Sequence, residues 1–232
     1  MKPYIIIHSL LVLSASMLTF YLVSDDDQIH QSRLLKDFQK KINSVDPAVK
    51  TVINTRESYV CWLSELGELH SISGDTSNHQ SFDQLQEAWA DVTFIEDFCL
   101  NPTNDSIYFT DIMDLSSGLS AIKVSDRQGG GLQTLAYLPE ETPYRLCLSP
   151  SGKVLFYLAK QETANEKYAL RFIQLKNGNI GTMYTSAYKI DSLRVNTGLQ
   201  QLTLTDPNQG TIAFDTDRRS VFTLAEARNT SY

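Results

Sequence analysis

Four histidines, three cysteines and a few close-set acids are the residues from which covalent or metal chemistry in this chain would have to be built. His8 lies in an apolar run and His30 just beyond it. His70 and His79 flank a polar stretch, with Asp75 and Glu87 near them. A hydrolase would need such titratable groups to converge on loops at one face. No His/Cys spacing matches a metal knuckle. Asp215-Thr216-Asp217 lacks the glycine and the distant glutamate of a calcium loop. Gly129-Gly130-Gly131 has no following Lys-Ser/Thr and no following helix, so it reads as a turn rather than a phosphate cradle. Nucleophile-elbow, zincin and Walker patterns are absent. Cys61, Cys99 and Cys147 are odd in number and far apart, which is not a disulfide framework. They read as small buried apolar side chains, with one disulfide and one leftover thiol as the alternative in an oxidising compartment. The sequence therefore assigns no catalytic residue, no metal and no cofactor, and the chain reads as a non-enzyme. A hydrolase built on His70, His79, Asp75 and Glu87 is the alternative.

The elements that would position any site come from a repeat. Phe98-Cys99-Leu100-Asn101-Pro102-Thr103-Asn104-Asp105-Ser106-Ile107-Tyr108-Phe109 is a short apolar strand, a polar turn and a second apolar strand. The same pattern returns 48 residues later at Leu146-Cys147-Leu148-Ser149-Pro150-Ser151-Gly152-Lys153-Val154-Leu155-Phe156-Tyr157. Fainter copies at an offset of 47 place Asn54 opposite Asn101 and Asn196 opposite Ser149. A fixed period near fifty in an all-β pattern is the signature of propeller blades.

Each period resolves into strands. The first holds Val52 to Asn54, Tyr59 to Leu63 and Leu69 to Ile72, with Val92 to Ile95 as a possible fourth. The second holds Phe98 to Leu100, Ser106 to Asp111, Leu119 to Val124 and Leu132 to Leu138. The third holds Arg145 to Leu148, Lys153 to Ala159, Tyr168 to Leu175 and Gly181 to Thr185. Asn177-Gly178 is its hairpin signal, because both residues tolerate the left-handed region. The fourth holds Ser192 to Val195, Gln201 to Thr205, Thr211 to Asp215 and Val221 to Leu224. The predicted fold class is all-β: about four four-stranded blades, preceded by one N-terminal transmembrane helix and a short amphipathic helix.

Ser149-Pro150-Ser151-Gly152-Lys153-Val154-Leu155-Phe156 resembles the Ser-Pro-Asp-Gly-Lys strand-turn-strand signature of TolB-type and WD-repeat-like propellers. The resemblance covers about residues 51 to 224. It implies blade architecture, and a docking platform as the usual role.

The N-terminal segment adds location. Tyr4 to Val23 carries no Asp, Glu, Lys or Arg and is long enough to span the hydrocarbon thickness as a helix. Lys2 precedes it and Asp25-Asp26-Asp27 follow, so the positive-inside rule exports the C-terminal part. The expectation is a single-pass inner-membrane protein with a periplasmic domain. Secretion after signal cleavage near Ser14-Ala15-Ser16 is the alternative. The predicted divisions are an anchor at 1–24, a juxtamembrane stalk helix at 25–48, the propeller-like domain at 49–226 and a tail at 227–232. Net charge is −7, and −8 beyond residue 24, which disfavours nucleic-acid binding.

Two segments carry candidate partner-binding residues. In the stalk, Leu34, Leu35, Phe38 and Ile42 form an apolar stripe among Arg33, Lys36, Asp37, Lys40 and Lys41. It either packs on the first blade or pairs with a partner's stalk. In the stretch between the first and second periods, Phe82, Leu85 and Trp89 fit one short helical face. Insertions in repeat proteins map to loops on one face, often the binding face. Trp89 is thus either an interface anchor or part of the first blade's core. The function expected is an exported, membrane-anchored interaction module, a scaffold or subunit of an envelope complex. Its partner would be another membrane or periplasmic protein, or a second copy. An accessory to a membrane-bound regulator is the alternative, since Met1-Lys2-Pro3 is too short a cytoplasmic tail for a DNA-binding domain.

Overall fold

The computed structural model describes residues 48–54, 59–73, 89, 91–101, 103–114, 118–126, 129–161, 167–196, 200–216 and 221–223. The predicted membrane run, the stalk with Leu34, Leu35 and Phe38, the insertion residues Phe82 and Leu85, and His79, Asp75 and Glu87 lie outside them. Among the described residues no helix is long and apolar enough to cross a membrane.

Among the described residues, fifteen strands form four antiparallel sheets in which sequence neighbours pair. The first sheet holds β1 (Ala48–Asn54), β2 (Tyr59–Ser64) and β3 (Leu69–Ser73). The second holds β4 (Phe98–Leu100), β5 (Ser106–Asp114), β6 (Leu119–Asp126) and β7 (Gln133–Leu138). The third holds β8 (Glu141–Leu148), β9 (Val154–Gln161), β10 (Lys167–Gln174) and β11 (Ile180–Ser186). The fourth holds β12 (Ser192–Asn196), β13 (Gln201–Asp206), β14 (Gly210–Asp215) and β15 (Val221–Thr223). The first strands of consecutive sheets lie side by side, β1 near β4, β4 near β8 and β8 near β12. The sheets therefore radiate from a common axis, each first strand innermost.

Each seam between sheets has its own core. Cys61, Leu63 and Leu69 meet Phe98, Ile107 and Phe109 in the first. Tyr108, Ile122 and Leu138 meet Leu148, Leu155 and Tyr157 in the second. Phe156, Leu158 and Leu170 meet Leu202, Leu204, Ile212 and Phe214 in the third. Side chains alternate across a strand, so β9 feeds two seams at once: Leu155, Tyr157 and Ala159 on one face, Phe156 and Leu158 on the other. That is why Val154-Leu155-Phe156-Tyr157-Leu158-Ala159 is a continuous apolar run rather than an alternating one. Each fully buried Leu or Phe stabilises by about 1.5–3 kcal/mol relative to exposure.

The connections between first and second strands repeat as well. Asn101 N–H donates to Ser106 O and Ser149 N–H to Val154 O, both at 2.8–2.9 Å. Asn54 pairs with Tyr59 and Asn196 with Gln201 at the same register. Ser149 Oγ accepts the amides of Lys153 and Val154, and Asn101 Oδ1 accepts that of Thr103. A short polar side chain at the strand's end thus substitutes for the missing ladder bonds.

One expectation is corrected. Val92 to Ile95 does not complete the first sheet. Phe94 O and Asp97 O accept the amides of Ile112 and Thr110, so the segment extends β4 along β5. It is held there because the buried Asp111 carboxylate takes the Thr93 and Phe94 amides, and the Thr110 hydroxyl takes those of Glu96 and Asp97. The hairpin expected at Asn177-Gly178 forms between β10 and β11, with Gly178 in the left-handed region at φ 70°. Asn177 uses its Oδ1 to accept the Asn179 amide.

Candidate interaction surface at the first seam

The residue that decides the first seam is Trp89. It is 1% exposed, stacks on Phe109 with ring centroids 4.6 Å apart, and donates its Nε1–H to Gly129 O at 3.2 Å. Its indole fills the core between the first two sheets and ties the incoming chain to the β6–β7 turn. This is the core position of the two expected for it. A ring with both faces and its N–H engaged inside the domain has no surface left to offer a partner.

What the seam does offer lies beside it. Lys123 is buried, with Nζ 2.7 Å from Asp111 Oδ2 and donating to Asp91 O at 2.9 Å. A paired and hydrogen-bonded charge is the form in which lysine tolerates burial. This tie holds the Trp89–Val92 entry against β6 and leaves a hollow of about 380 Å³ lined by Asp91, Met113, Lys123, Leu132, Thr134 and Tyr137. Tyr137 is 63% exposed although Ala136 and Leu138 beside it are buried. Its outward position follows from strand alternation in Leu135-Ala136-Tyr137-Leu138 and was legible in the sequence, but a lone outward tyrosine draws no notice there. Amphipathic aromatic rings beside a concavity are the usual anchors of protein interfaces.

The remaining buried charges hold sheets in place. Lys50 Nζ donates to Asp97 Oδ1 and to Phe98 O, each at 2.6 Å, and lies over the Phe98 ring. Asp97 Oδ2 accepts the Leu146 amide at 2.6 Å. One carboxylate thereby joins β1, β4 and β8 across three sheets. Tyr144 Oη reaches Ile190 O at 3.2 Å to tie the third sheet to the fourth, and Tyr184 Oη donates to Asp206 at 2.9 Å across the same seam. Within the third sheet Arg171 pairs with Glu141.

His70 is buried, stacked on Trp62 at 5.0 Å, with Nε2 3.5 Å from Glu68. Its environment is a sheet face rather than a loop cluster. Among the described residues no group of three or more His, Cys, Asp or Glu is arranged to hold a metal. All three cysteines are free thiols. Burial pushes the Cys99 thiol up to about 12, opposed by Lys50 and reinforced by Asp97, and drives Cys147 well above the usual thiol range. Thiols held protonated in this way are not nucleophiles. The Gly130 amide is already bonded by Asp126 Oδ1 at 2.7 Å, consistent with a turn.

No family model matches the sequence, and no curated protein sequence is similar to it. Solved structures do match. A putative TolB from Agrobacterium tumefaciens gives a TM-score of 0.55 at 15% identity, over 75% of this chain and 60% of that one. The fold is propeller-like. A chain from a nidogen–laminin complex agrees, with a TM-score of 0.54 at 13% identity over 71% of this chain and 59% of that one. An oligogalacturonate lyase in complex with manganese scores 0.48 at 9% identity, covering 74% and 44%, too low to carry an argument. This propeller-like array thus spans about three-fifths of the first two proteins' length. The TolB-type resemblance noted at Ser149–Phe156 is matched by the fold.

Proposed function

We propose that the chain is a membrane-anchored, exported interaction module whose propeller-like domain holds another protein, as a scaffold or subunit of an envelope complex. The observation that carries this reading is the hollow at the first seam. It lies where the repeat is interrupted, and it pairs one exposed tyrosine with the apolar side chains of Leu132 and Met113. Several internal ionisable groups, Lys50, Asp97, Asp111, Lys123, Glu141 and Arg171, are engaged in holding strands and sheets together. The nidogen–laminin complex, a protein–protein assembly, supports a protein partner for a domain of this shape. The membrane run at residues 4–23 and the charge step around it support anchoring with the domain exported.

The test is a photoreactive side chain placed at Tyr137 in the full chain in intact cells, with Tyr188 as the control position. Tyr188 is also exposed, at 51%, but lies on another sheet's connection. The expected result is one discrete adduct from position 137 and none from 188, with the domain degraded by external protease only after the outer barrier is opened. Equal labelling from both positions, or protection of the domain from protease in spheroplasts, overturns the reading.

A further inference from the structure

Strand β7 is the outer edge of the second sheet, and that edge is open. In the order β4-β5-β6-β7 it is paired on one side, to β6. Among the described residues its backbone makes no other bond. Successive residues of an antiparallel strand turn their N–H and C=O alternately toward the neighbour and away from it, so about half of the groups in Gln133–Leu138 face outward. Edge strands are ordinarily closed by lysine, proline or a covering segment. β7 has no charged residue and no proline, and Gln133, Thr134 and Tyr137 are exposed. Its irregularity is a bulge: Ile122 pairs with Ala136 and Lys123 with Thr134, which leaves Leu135 as the extra residue. The bulge also aims side chains. It sets Thr134 and Tyr137 on the face of Lys123 and Ala121, where both line the first-seam hollow, while Leu135 packs against the core of the second seam. Two other outer strands are less available. β3 is buried from Leu69 to Ser71, and Gly181 breaks the side-chain rows of β11.

We propose that the partner docks as an extended segment added to the free edge of β7, with a basic residue over Asp91 and an apolar or aromatic residue beside Tyr137. This rests on the reading of the hollow as a protein-binding surface and names the kind of segment that surface takes. The edge selects the backbone of the occupant, because a row of alternating N–H and C=O groups at the strand repeat is matched by another strand. The hollow selects its side chains. The Lys123 charge is already matched by Asp111, 2.7 Å away. Asp91 is exposed and, among the described residues, is the charge of the lining that nothing matches. An added strand presents alternate side chains on one face, roughly 7 Å apart. One of them can lie against the Tyr137 ring as a cross-strand pair while the next on that face reaches the Asp91 carboxylate. The charge of −8 beyond residue 24 steers a basic segment toward the domain as well.

The probe is a fluorescein-labelled peptide, Lys-Thr-Val-Lys-Val-Tyr-Thr-amide, titrated with the full chain in detergent micelles and read by fluorescence anisotropy. Its second lysine and its tyrosine fall on one face of a strand. Two further peptides carry N-methyl groups on alternate residues, one on the odd set and one on the even set. An added strand bonds through one edge, so one methylated peptide should bind like the parent and the other at least about tenfold more weakly. Asp91→Asn should weaken the parent peptide about fivefold at low salt, with the loss fading as salt is raised. Tyr137→Ala should weaken it about tenfold. Equal binding of the two methylated peptides overturns strand addition. Binding that ignores both substitutions overturns it too, as does failure of the parent peptide to bind. The surface itself is judged separately: a discrete adduct from position 137 together with equal tolerance of both methylated peptides keeps the hollow as a recognition surface and removes the added strand.

Discussion

Lys50 donates to Asp97 at 2.6 Å, and the two residues stand 47 apart, the same step that separates the repeats. Asp97 in turn accepts the Leu146 amide 49 residues on, and Tyr144 reaches Ile190 O 46 residues on. These three ties thus occupy near-equivalent places at the innermost strands. Removing the Asp97 side chain takes the counter-charge from the Lys50 ammonium, which keeps Phe98 O, and the acceptor from the Leu146 amide. Breaking a buried pair costs about 3–5 kcal/mol; Lys50 keeps 28% of its side-chain exposure, so the lower end applies. Urea denaturation should show Asp97→Ala destabilised by about 3 kcal/mol and Asp97→Asn by about half that, since the amide oxygen still serves Leu146. Equal effects for both variants would mean that the ion pair, and not the amide bond, holds the joint.

Trp89→Ala should lower stability by about 3–5 kcal/mol by opening a cavity between the first two sheets. Trp89→Phe should cost about 1 kcal/mol, for the lost bond to Gly129. Thermal melting of the isolated domain measures both. A melting temperature unmoved by the alanine variant would contradict the core position.

Gly152→Ala should be costly for its type. Gly152 has φ 65°, and a Cβ there would stand 2.7 Å from Asn101 Oδ1 and 3.0 Å from Thr103 Oγ1. The turns of the second and third sheets pack directly on each other, and the glycine makes room. A loss of about 1–2 kcal/mol in unfolding free energy, measured by urea denaturation, is expected from the left-handed backbone alone, with the contact adding to it.

Acid should loosen the third seam through Asp206. Burial raises its carboxyl, but hydrogen bonds from Ser186, the Asn208 amide, Tyr184 and the Gln209 amide outweigh it and hold the group below the usual aspartate range. A depressed carboxyl contributes stability that is complete above the unfolded value of 3.8 and is lost as pH falls through the lower folded value. Asp206→Asn should therefore be less stable than the parent at pH 7 and converge toward it below about pH 4. A constant difference down to pH 2 would assign the cost to packing.

The thiols give a check on the seams at neutral pH. Cys61 and Cys99 are buried and Cys147 half-buried, with Cys99 and Cys147 held protonated by burial. A disulfide-exchange reagent should label none of them quickly in the folded domain and all three in urea. Rapid native labelling of any one would show an open seam.

The strands were legible because each blade writes its own period. The second, third and fourth sheets appear with boundaries within a few residues of those read from Phe98, Tyr144 and Ser192. Asn54, Asn101, Ser149 and Asn196 mark the first turn of each sheet. What stayed hidden depends on pairs about a repeat apart. Nothing local says that Lys50 will meet Asp97, or that Asp111 will draw the Thr93 and Phe94 amides onto β5 instead of letting Val92–Ile95 join β3. Trp89 is open to a core and to an interface reading in the sequence because a tryptophan at a helical position after a polar insertion fits both. Tyr137 was missed because its meaning comes from the hollow beside it, which only the meeting of Asp91, Lys123 and Leu132 creates.

The most direct test of the interaction account is the affinity of Tyr137→Ala for the partner that crosslinks at that position, measured beside its melting temperature. Tyr137 is mostly exposed, so stability should change by no more than about 0.5 kcal/mol, while binding should weaken by about 2 kcal/mol, roughly thirtyfold. Unchanged affinity with unchanged melting would contradict the assignment of the first seam as the recognition surface.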